Sequence, residues 1–150
     1  CLGRGSVLEL EASTREEAIA ALCNRAVRDG EMDYAAVYSA VSERESIMGT
    51  GLERGVAVPH ARLSGLNDPM IVFGRSRMGI DWDAPDGMPA RLVFMVLTPQ
   101  QENGTQVQIL AAIASAMLAD PVREALLQAD DLESVERILR DSLAGTATAA

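Results

Sequence analysis

The sequence predicts an α/β domain in which helices cover a mixed β-sheet. Segments with the helical spacing of apolar residues alternate along the chain with short runs that are typical of strands. The length of 150 residues fits one domain of ordinary size. The apolar run Leu92–Leu97 has the length of a buried strand, and no run approaches the roughly 20 residues of a membrane helix. The order of the strands stays open at this point.

The first third of the chain predicts one strand and two helices. Leucine and glutamate alternate over Ser6–Ala12, as in a half-buried strand. Thr14 begins a capping box, and the apolar stripe behind it predicts a helix that ends near Gly30. Asp33 is expected to cap a second helix, which ends around Ile47–Gly49.

A glycine-rich loop follows the second helix. This loop, Gly49–Gly55, leads into the short apolar strand Val56–His60, which we expect Pro59 to end. The loop follows a helix and precedes a strand, which is the reverse of the order in a dinucleotide-binding fingerprint. Its glycines would let backbone amides approach an anion, and an ordinary flexible turn explains them equally well.

The middle of the chain predicts two further strands, Met70–Phe73 and Arg91–Leu97. Between them, the segment Met78–Pro89 is rich in glycine, proline and acidic residues and is interpreted as a turn-rich crossover, with Trp82 folded back onto the core. Part of this segment begins like a calcium-binding loop. Leu92 stands at its twelfth position, where a bidentate glutamate is required, so no metal site is expected.

The last third of the chain is predicted to be helical. One helix covers Gln106–Leu118, Pro121 opens a second, shorter one, and Asp130 caps the last. The final residues, 145–150, are small and polar and are expected to form a disordered tail, which leaves residues 1–144 as the domain.

The charge of the chain excludes several classes of function. A formal net charge of -9 does not suit nucleic acid, which requires a basic footprint. All 13 basic residues are arginines. Without lysine the chain cannot form a Schiff base, and it lacks the lysine of a Walker A loop or of a protein kinase. Arginine, histidine or backbone amides must therefore contact any phosphate group.

The two cysteines suggest neither a metal site nor a disulfide framework. Cys23 lies at a helix-core position, and Cys1 is expected in a frayed end. This usage favours a reducing, cytoplasmic location. Cys1 in place of an initial methionine suggests a trimmed chain or a domain excised from a longer protein. No cofactor is expected.

His60 is the only histidine and the leading candidate for chemistry. The pKa of an ordinary imidazole is about 6.5, so its neutral nitrogen is available near neutral pH to accept and pass on a phosphoryl group. The glycine loop and Pro59 before it would hold such a side chain rigid and exposed. The alternative is a hydrogen-bonded histidine at a strand end without chemistry.

The motif that ends at His60 carries a resemblance to a known family. Arg44–Gly51, followed by Gly55–His60, is similar to the signature of type-2 enzyme IIA domains of the bacterial sugar phosphotransferase system, in its fructose/mannitol and nitrogen-regulatory branch. The strand Leu92–Pro99 and the helix that begins at Gln106 continue in family order. The resemblance covers about Val7–Leu139.

The resemblance implies a helix-covered mixed sheet and a phosphohistidine intermediate. A histidine-containing phosphocarrier protein would donate the phosphoryl group, which then moves to a cysteine of an enzyme IIB domain or itself serves as a nitrogen-regulatory signal. By position, His60 matches the phosphorylated histidine and Arg44 the arginine near it, whose guanidinium suits phosphoryl oxygens. Thr50 would donate a further hydrogen bond. A plainer interpretation of Arg44 is a solvated residue that closes its helix.

Three positions depart from the family pattern. Gln106 stands where many members have a second histidine; it can donate to a phosphoryl oxygen but cannot titrate. Glu53 stands where the loop usually has a glycine, which would put a negative charge near an anion site, and Ala61 replaces a common glycine. The alternative function is therefore a regulatory module of the same fold that does not transfer phosphate, attached to a membrane transporter or transcription regulator without inserting into the membrane itself.

Overall fold

Strands and helices alternate along the chain, as the sequence predicts. The computed structural model describes residues 6–28, 30, 32–101 and 104–143; Cys1 and the predicted tail, 145–150, lie outside them. The elements are β1 (Val7–Glu9), α1 (Arg15–Ala26), α2 (Tyr34–Ile47), β2 (Val56–Ala57), β3 (His60–Leu63), β4 (Met70–Ile80), β5 (Ala90–Pro99), α3 (Thr105–Met117), α4 (Asp120–Gln128) and α5 (Leu132–Ser142).

The strands form one mixed sheet, which confirms the predicted fold class. β4 and β5 pair antiparallel at its centre, and β1 lies parallel to β4 on one side. On the other side, β2 and β3 both run parallel to β5, one after the other along the same edge. His60, the first residue of β3, lies opposite Val96. The histidine thus stands in an outermost strand of the sheet.

Helices cover both faces of the sheet. α1 and α2 pack on one face around a cluster that contains Leu22, Val41 and Trp82, and α3, α4 and α5 cover the other around Phe73 and Phe94. Trp82 is fully buried, as predicted from its position. Cys23 is buried as well, and its burial raises the pKa of the thiol to about 12, as suits a core residue. In the described part of the chain, no helix has both the length and the apolar character to cross a membrane.

The helix caps explain where the helices begin. Thr14 accepts a hydrogen bond from the amide of Glu17 at 3.1 Å, and Asp33 accepts one from Ala36 at the same distance, as predicted. The predicted cap of the last helix was one residue early. Asp131, not Asp130, accepts from the amide of Ser134 at 2.7 Å.

The predicted crossover between the central strands is wrong. β4 runs on to Ile80, which pairs with Ala90, so β4 and β5 form a long hairpin joined by residues 81–89. The glycine that suggested a turn, Gly79, instead lies in an irregularity of the strand, with a φ of 83° that favours glycine.

Pro59 interrupts the edge strand without ending it. The carbonyl of Pro59 accepts from the amide of Val96 at 3.0 Å, but its ring has no N–H to give to β5. Pairing therefore stops after β2 and resumes in β3 at His60. The outer side of β2 is covered by the preceding loop, because Leu52 donates to the carbonyl of Val56 at 2.7 Å and Val58 donates to that of Thr50 at 3.1 Å.

A buried arginine joins the sheet to α4. Arg75 of β4 is 1% exposed and donates to the Glu9 carboxylate at 2.6 Å and to the carbonyls of Leu126 and Ala129, both at 2.7 Å. Arg77 binds the other oxygen of Glu9 at 3.2 Å, but its side chain is 62% exposed. One carboxylate thus holds a buried and an exposed arginine.

This pair predicts unequal losses of stability. Arg75→Met should lower the free energy of unfolding by about 3 kcal/mol, because a buried and a partly buried carbonyl and one oxygen of the Glu9 carboxylate lose their donor. The matched control Arg77→Met should lower it by about 0.5 kcal/mol or less, since water replaces an exposed ion pair. Urea unfolding measures both values, and similar losses in the two variants would contradict the assigned role of Arg75.

Candidate functional site

A cavity opens at the edge of the sheet where the two helical layers meet the edge strand. Its volume is about 430 Å³. It lies between the last turns of α2, the first residues of β3 and the first turn of α3. Its lining consists of Ala40, Glu43, Arg44, Ile47, His60, Ala61, Arg62 and Gln106. Three of the four predicted site residues, His60, Arg44 and Gln106, therefore share one cavity.

The imidazole of His60 is held in one orientation. Its Nδ1 lies 2.7 Å from the carbonyl oxygen of Val58, and since a carbonyl only accepts, Nδ1 carries the proton in that bond. Nε2 then keeps its lone pair, and no described residue donates to it. His60 as a whole residue is 7% exposed, so the expected exposed histidine is instead mostly buried and reached through the cavity.

The surroundings of His60 keep its ring neutral. Burial lowers the pKa of the imidazole below 6.5, chiefly because the charged form loses hydration. The positive charges of Arg44 and Arg62 act in the same direction, and the bond to Val58 and the charge of Glu45 act against it. A neutral imidazole with a free Nε2 is the nucleophilic form of this side chain.

The Arg44 side chain has two roles in the site. It lines the cavity from the last turn of α2, and its Nη1 donates to the carbonyl of Met48 at 2.9 Å. It therefore closes its helix, as the plainer interpretation expected. A guanidinium has five N–H donors in a planar fork, so one bond to Met48 leaves donors for a further group in the cavity.

Gln106 reaches the cavity from the opposite face of the sheet. It is buried in the first turn of α3, where the helix dipole favours an anion. Its side-chain amide can both donate and accept hydrogen bonds, so it can contact an oxygen of a bound group without changing charge.

Thr50 and Glu53 do not line this cavity. The Thr50 hydroxyl donates to Glu45 at 2.5 Å, and the Thr50 amide donates to the same carboxylate at 2.7 Å. Both donors of Thr50 are therefore used, and neither is left for an anion. Glu53 is exposed beside a second cavity, between the loop and the far half of α3. The expected conflict between Glu53 and an anion site does not arise, because the loop turns that side chain away.

Two residues of the site were not singled out from the sequence. Arg62 lines the cavity because it follows His60 by two positions in a strand, and alternate residues share a face. That spacing was a usable signal. Glu45 is buried behind the cavity, where it binds Thr50. Glu45 stands within the motif Arg44–Gly51, but the motif alone assigned it no role in the site.

The arrangement suits a small anion more than a metal. Within the described residues no group of histidine, cysteine, aspartate or glutamate side chains could hold a metal ion. A nucleophilic nitrogen flanked by guanidinium groups and a side-chain amide instead matches a tetrahedral oxyanion that forms a bond to nitrogen, as a phosphoryl group does.

Residues 5–142 match the protein family described as "Phosphoenolpyruvate-dependent sugar phosphotransferase system, EIIA 2". The chain belongs to this family. It is 38% identical over 135 residues to the fructose-specific EIIA component of Haloferax volcanii, covering 89% of this chain and 88% of that protein. The resemblance stated from the motif at His60 is thereby confirmed.

Solved structures show the same fold. The nitrogen regulatory protein IIA-Ntr from Neisseria meningitidis matches with a TM-score of 0.86 and 29% identity, over 92% of this chain and 95% of that one. The complex of enzyme IIA and phosphorylated enzyme IIB for mannitol from Escherichia coli contains a further match. Its TM-score is 0.77 and its identity 23%, over 97% of this chain and 98% of that one. The chain is thus an EIIA-type phosphocarrier domain with relatives in both the sugar-transport and the nitrogen-regulatory branches.

The environment of His60 predicts a shift in its titration. Because the chain has one histidine, a single imidazole signal in an NMR titration reports this site. The midpoint should lie below 6.5, since burial and the charges of Arg44 and Arg62 disfavour the protonated ring. A midpoint at or above 6.5 would contradict the buried, neutral ring.

The same shift has a consequence for stability. Below pH 6.5 the unfolded chain binds a proton that the folded chain resists, so the free energy of unfolding should fall as the pH is lowered through this window. His60→Asn lacks the titrating ring and should lose less stability than the parent chain between pH 7.5 and pH 5.5. Denaturant unfolding at the two pH values measures the difference.

Proposed function

We propose that Nε2 of His60 accepts a phosphoryl group from the phosphohistidine of a phosphocarrier protein. The nitrogen–phosphorus bond of the donor breaks and its electron pair stays on the donor nitrogen, while the lone pair of Nε2 forms the new bond to phosphorus. The observation that carries this proposal is the bond from Nδ1 to Val58, which leaves Nε2 as the free nitrogen of a buried ring.

Positively charged and hydrogen-bonding side chains in the lining of the cavity support the transfer. Arg44 and Arg62 can neutralise the phosphoryl oxygens, and Gln106 can donate a hydrogen bond to one of them. Thr50 has no direct part in this proposal, since both of its donors are bound to Glu45. The site thus needs no second histidine to be complete, because guanidinium groups supply fixed positive charge that does not depend on pH near neutrality.

The surface around the cavity favours a protein as donor and acceptor. Ile47, which lines the cavity, is 75% exposed. Met48 and Val107, the chain neighbours of the lining residues Ile47 and Gln106, are 68% and 62% exposed, and we call these three residues the apolar rim. Exposed apolar side chains grouped around a reactive centre are typical of a docking surface. The mannitol complex pairs a IIA chain with phosphorylated enzyme IIB. We assign the rim to a histidine-containing phosphocarrier protein and, in turn, to an enzyme IIB domain, in the cytoplasm.

The fate of the phosphoryl group separates the two branches of the family. In the sugar-transport branch it would pass from Nε2 of His60 to a cysteine of an enzyme IIB domain. In the nitrogen-regulatory branch the phosphorylated state would itself change the affinity for a target protein. Both begin with the same phosphohistidine, so one first experiment tests them together.

That experiment is incubation with phosphoenolpyruvate and the general phosphotransferase proteins. We expect an acid-labile mass increase of one phosphoryl group on the parent chain. His60→Asn should show none, although its amide can replace the bond from Nδ1 to Val58 and so preserve the fold. Phosphate on His60→Asn would refute the assignment of His60. A parent chain that is never modified would favour the regulatory module that does not transfer phosphate.

Arg44→Lys should slow phosphorylation on the order of tenfold, because an ammonium cannot offer two phosphoryl oxygens the planar fork of a guanidinium. Arg77→Lys, on the exposed end of β4, is the matched control and should transfer at the parent rate. Rapid-quench measurement of phosphoprotein formation gives both rates. If Arg44→Lys and the control react equally fast, Arg44 does not contact the phosphoryl group.

A further inference from the structure

A relay of hydrogen bonds leads from the buried carboxylate of Glu45 to the imidazole of His60. We propose that Glu45 is a positioning residue which fixes the reactive tautomer of His60 through Thr50 and Val58. The inference rests on the proposed function, because it assumes that Nε2 is the nitrogen that reacts. It concerns a residue that does not line the cavity and would not touch the phosphoryl group.

The first step of the relay is a fork between Glu45 and Thr50. One carboxylate oxygen accepts from the Thr50 hydroxyl at 2.5 Å, and the other accepts from the Thr50 amide at 2.7 Å. Two bonds to one residue fix both its backbone and its side chain. Arg15 lies 3.7 Å from the second oxygen and forms an ion pair with this buried carboxylate. Glu45 therefore holds the chain where α2 passes into the loop.

The direction of the first step is set by Trp82. Its indole N–H donates to the Thr50 hydroxyl oxygen at 3.3 Å. Because an indole can only donate, the Thr50 hydroxyl must use its own proton for the carboxylate. Every donor in this part of the relay thus has one acceptor. No other arrangement of the protons satisfies the Trp82 indole, the Thr50 hydroxyl and the Glu45 carboxylate together.

The second step connects the loop to the histidine. The carbonyl of Thr50 accepts from the Val58 amide at 3.1 Å, and the carbonyl of Val58 accepts from Nδ1 of His60 at 2.7 Å. Val58 is thus held by Thr50 on one side and holds the imidazole on the other. If Thr50 moves, the carbonyl that defines the His60 tautomer moves with it.

A change at Glu45 should therefore appear at the ring nitrogens of His60. Glutamine in place of Glu45 has one acceptor oxygen and an NH₂ group that would face a Thr50 donor. The fork would open, and Val58 would no longer hold Nδ1 as a donor in every molecule. The fraction of rings with the proton on Nε2 should increase. In those rings Nε2 has no lone pair with which to attack phosphorus.

The test is ¹⁵N NMR of the single histidine in the unphosphorylated protein, where two-bond couplings identify the protonated ring nitrogen. The parent chain should show the Nδ1–H form throughout. Glu45→Gln should show a measurable share of the Nε2–H form and about tenfold slower phosphorylation, as expected for a loss of ordering around the nucleophile.

The variant for comparison is Glu43→Gln, which removes one negative charge from the same part of α2. Glu43 lines the cavity but makes none of the hydrogen bonds of the relay, so only the tautomer is compared. The Nδ1–H form should persist in this variant. A tautomer shift in both variants would attribute the effect to charge and overturn the positioning role. So would a Glu45→Gln protein that keeps the Nδ1–H form.

A third variant, with a smaller change, keeps the proposal testable if Glu45→Gln does not fold. Thr50→Val removes the hydroxyl between Trp82 and Glu45 but keeps the Thr50 amide and carbonyl. If Glu45→Gln does not fold, this variant should shift the tautomer in the same direction to a lesser extent, and an unchanged tautomer overturns the proposal. The NMR measurement needs no donor protein. A parent chain with the Nδ1–H form that is never phosphorylated would therefore count against the proposed function and not against the relay.

Discussion

The proposed function depends on the hydrogen bond from Nδ1 of His60 to the carbonyl of Val58. A neutral imidazole carries one proton, and the nitrogen that donates it to a carbonyl cannot react with phosphorus. The same bond holds the plane of the ring, so that the lone pair of Nε2 has one direction. Burial and the nearby guanidinium groups of Arg44 and Arg62 keep the ring in this neutral form. In the proposed transfer, the ring is therefore oriented before a donor docks, and docking does not have to rearrange it.

The position of the histidine at the edge of the sheet explains how one cavity receives residues from both helical layers. In the middle of the sheet, α1 and α2 on one face are separated from α3 on the other by the strands themselves. Among the described residues no strand lies outside β3, and residues from the end of α2 and the start of α3 line one cavity at this edge. Arg44 and Gln106 can therefore line the same space although they come from opposite faces. A side chain at this place can be reached through the cavity and is still packed against a rigid sheet.

Much of the fold could be predicted because the signals were local. Thr14 and Asp33 cap their helices through bonds to residues three positions ahead, and such bonds are visible in the sequence. The hairpin of β4 and β5 could not be predicted, because Gly79 has the same signature in a turn and in a strand irregularity. The distinction depends on pairing with residues ten or more positions away.

The site was predictable to the extent that the family motif assigns positions, and no further. His60, Arg44 and Gln106 were identified by that motif, and the cavity joins them. The direction of the Thr50 and Glu53 side chains depends on how the loop folds onto Glu45 and α3, which no spacing in the sequence reveals. The position of Arg62 could have been predicted, since the strand period alone places it on the same side of the strand as the histidine.

The bonds around Val58 have a consequence beyond the orientation of the ring. An exposed edge strand usually presents free N–H and C=O groups on which another chain can build a further strand. Here the carbonyl of Val56 is taken by Leu52, the amide of Val58 by Thr50 and the carbonyl of Val58 by His60. An incoming strand would find these positions already bonded, so it could not pair with the stretch Val56–Val58 that precedes His60. Self-association by strand addition is therefore blocked along this stretch, directly beside the imidazole.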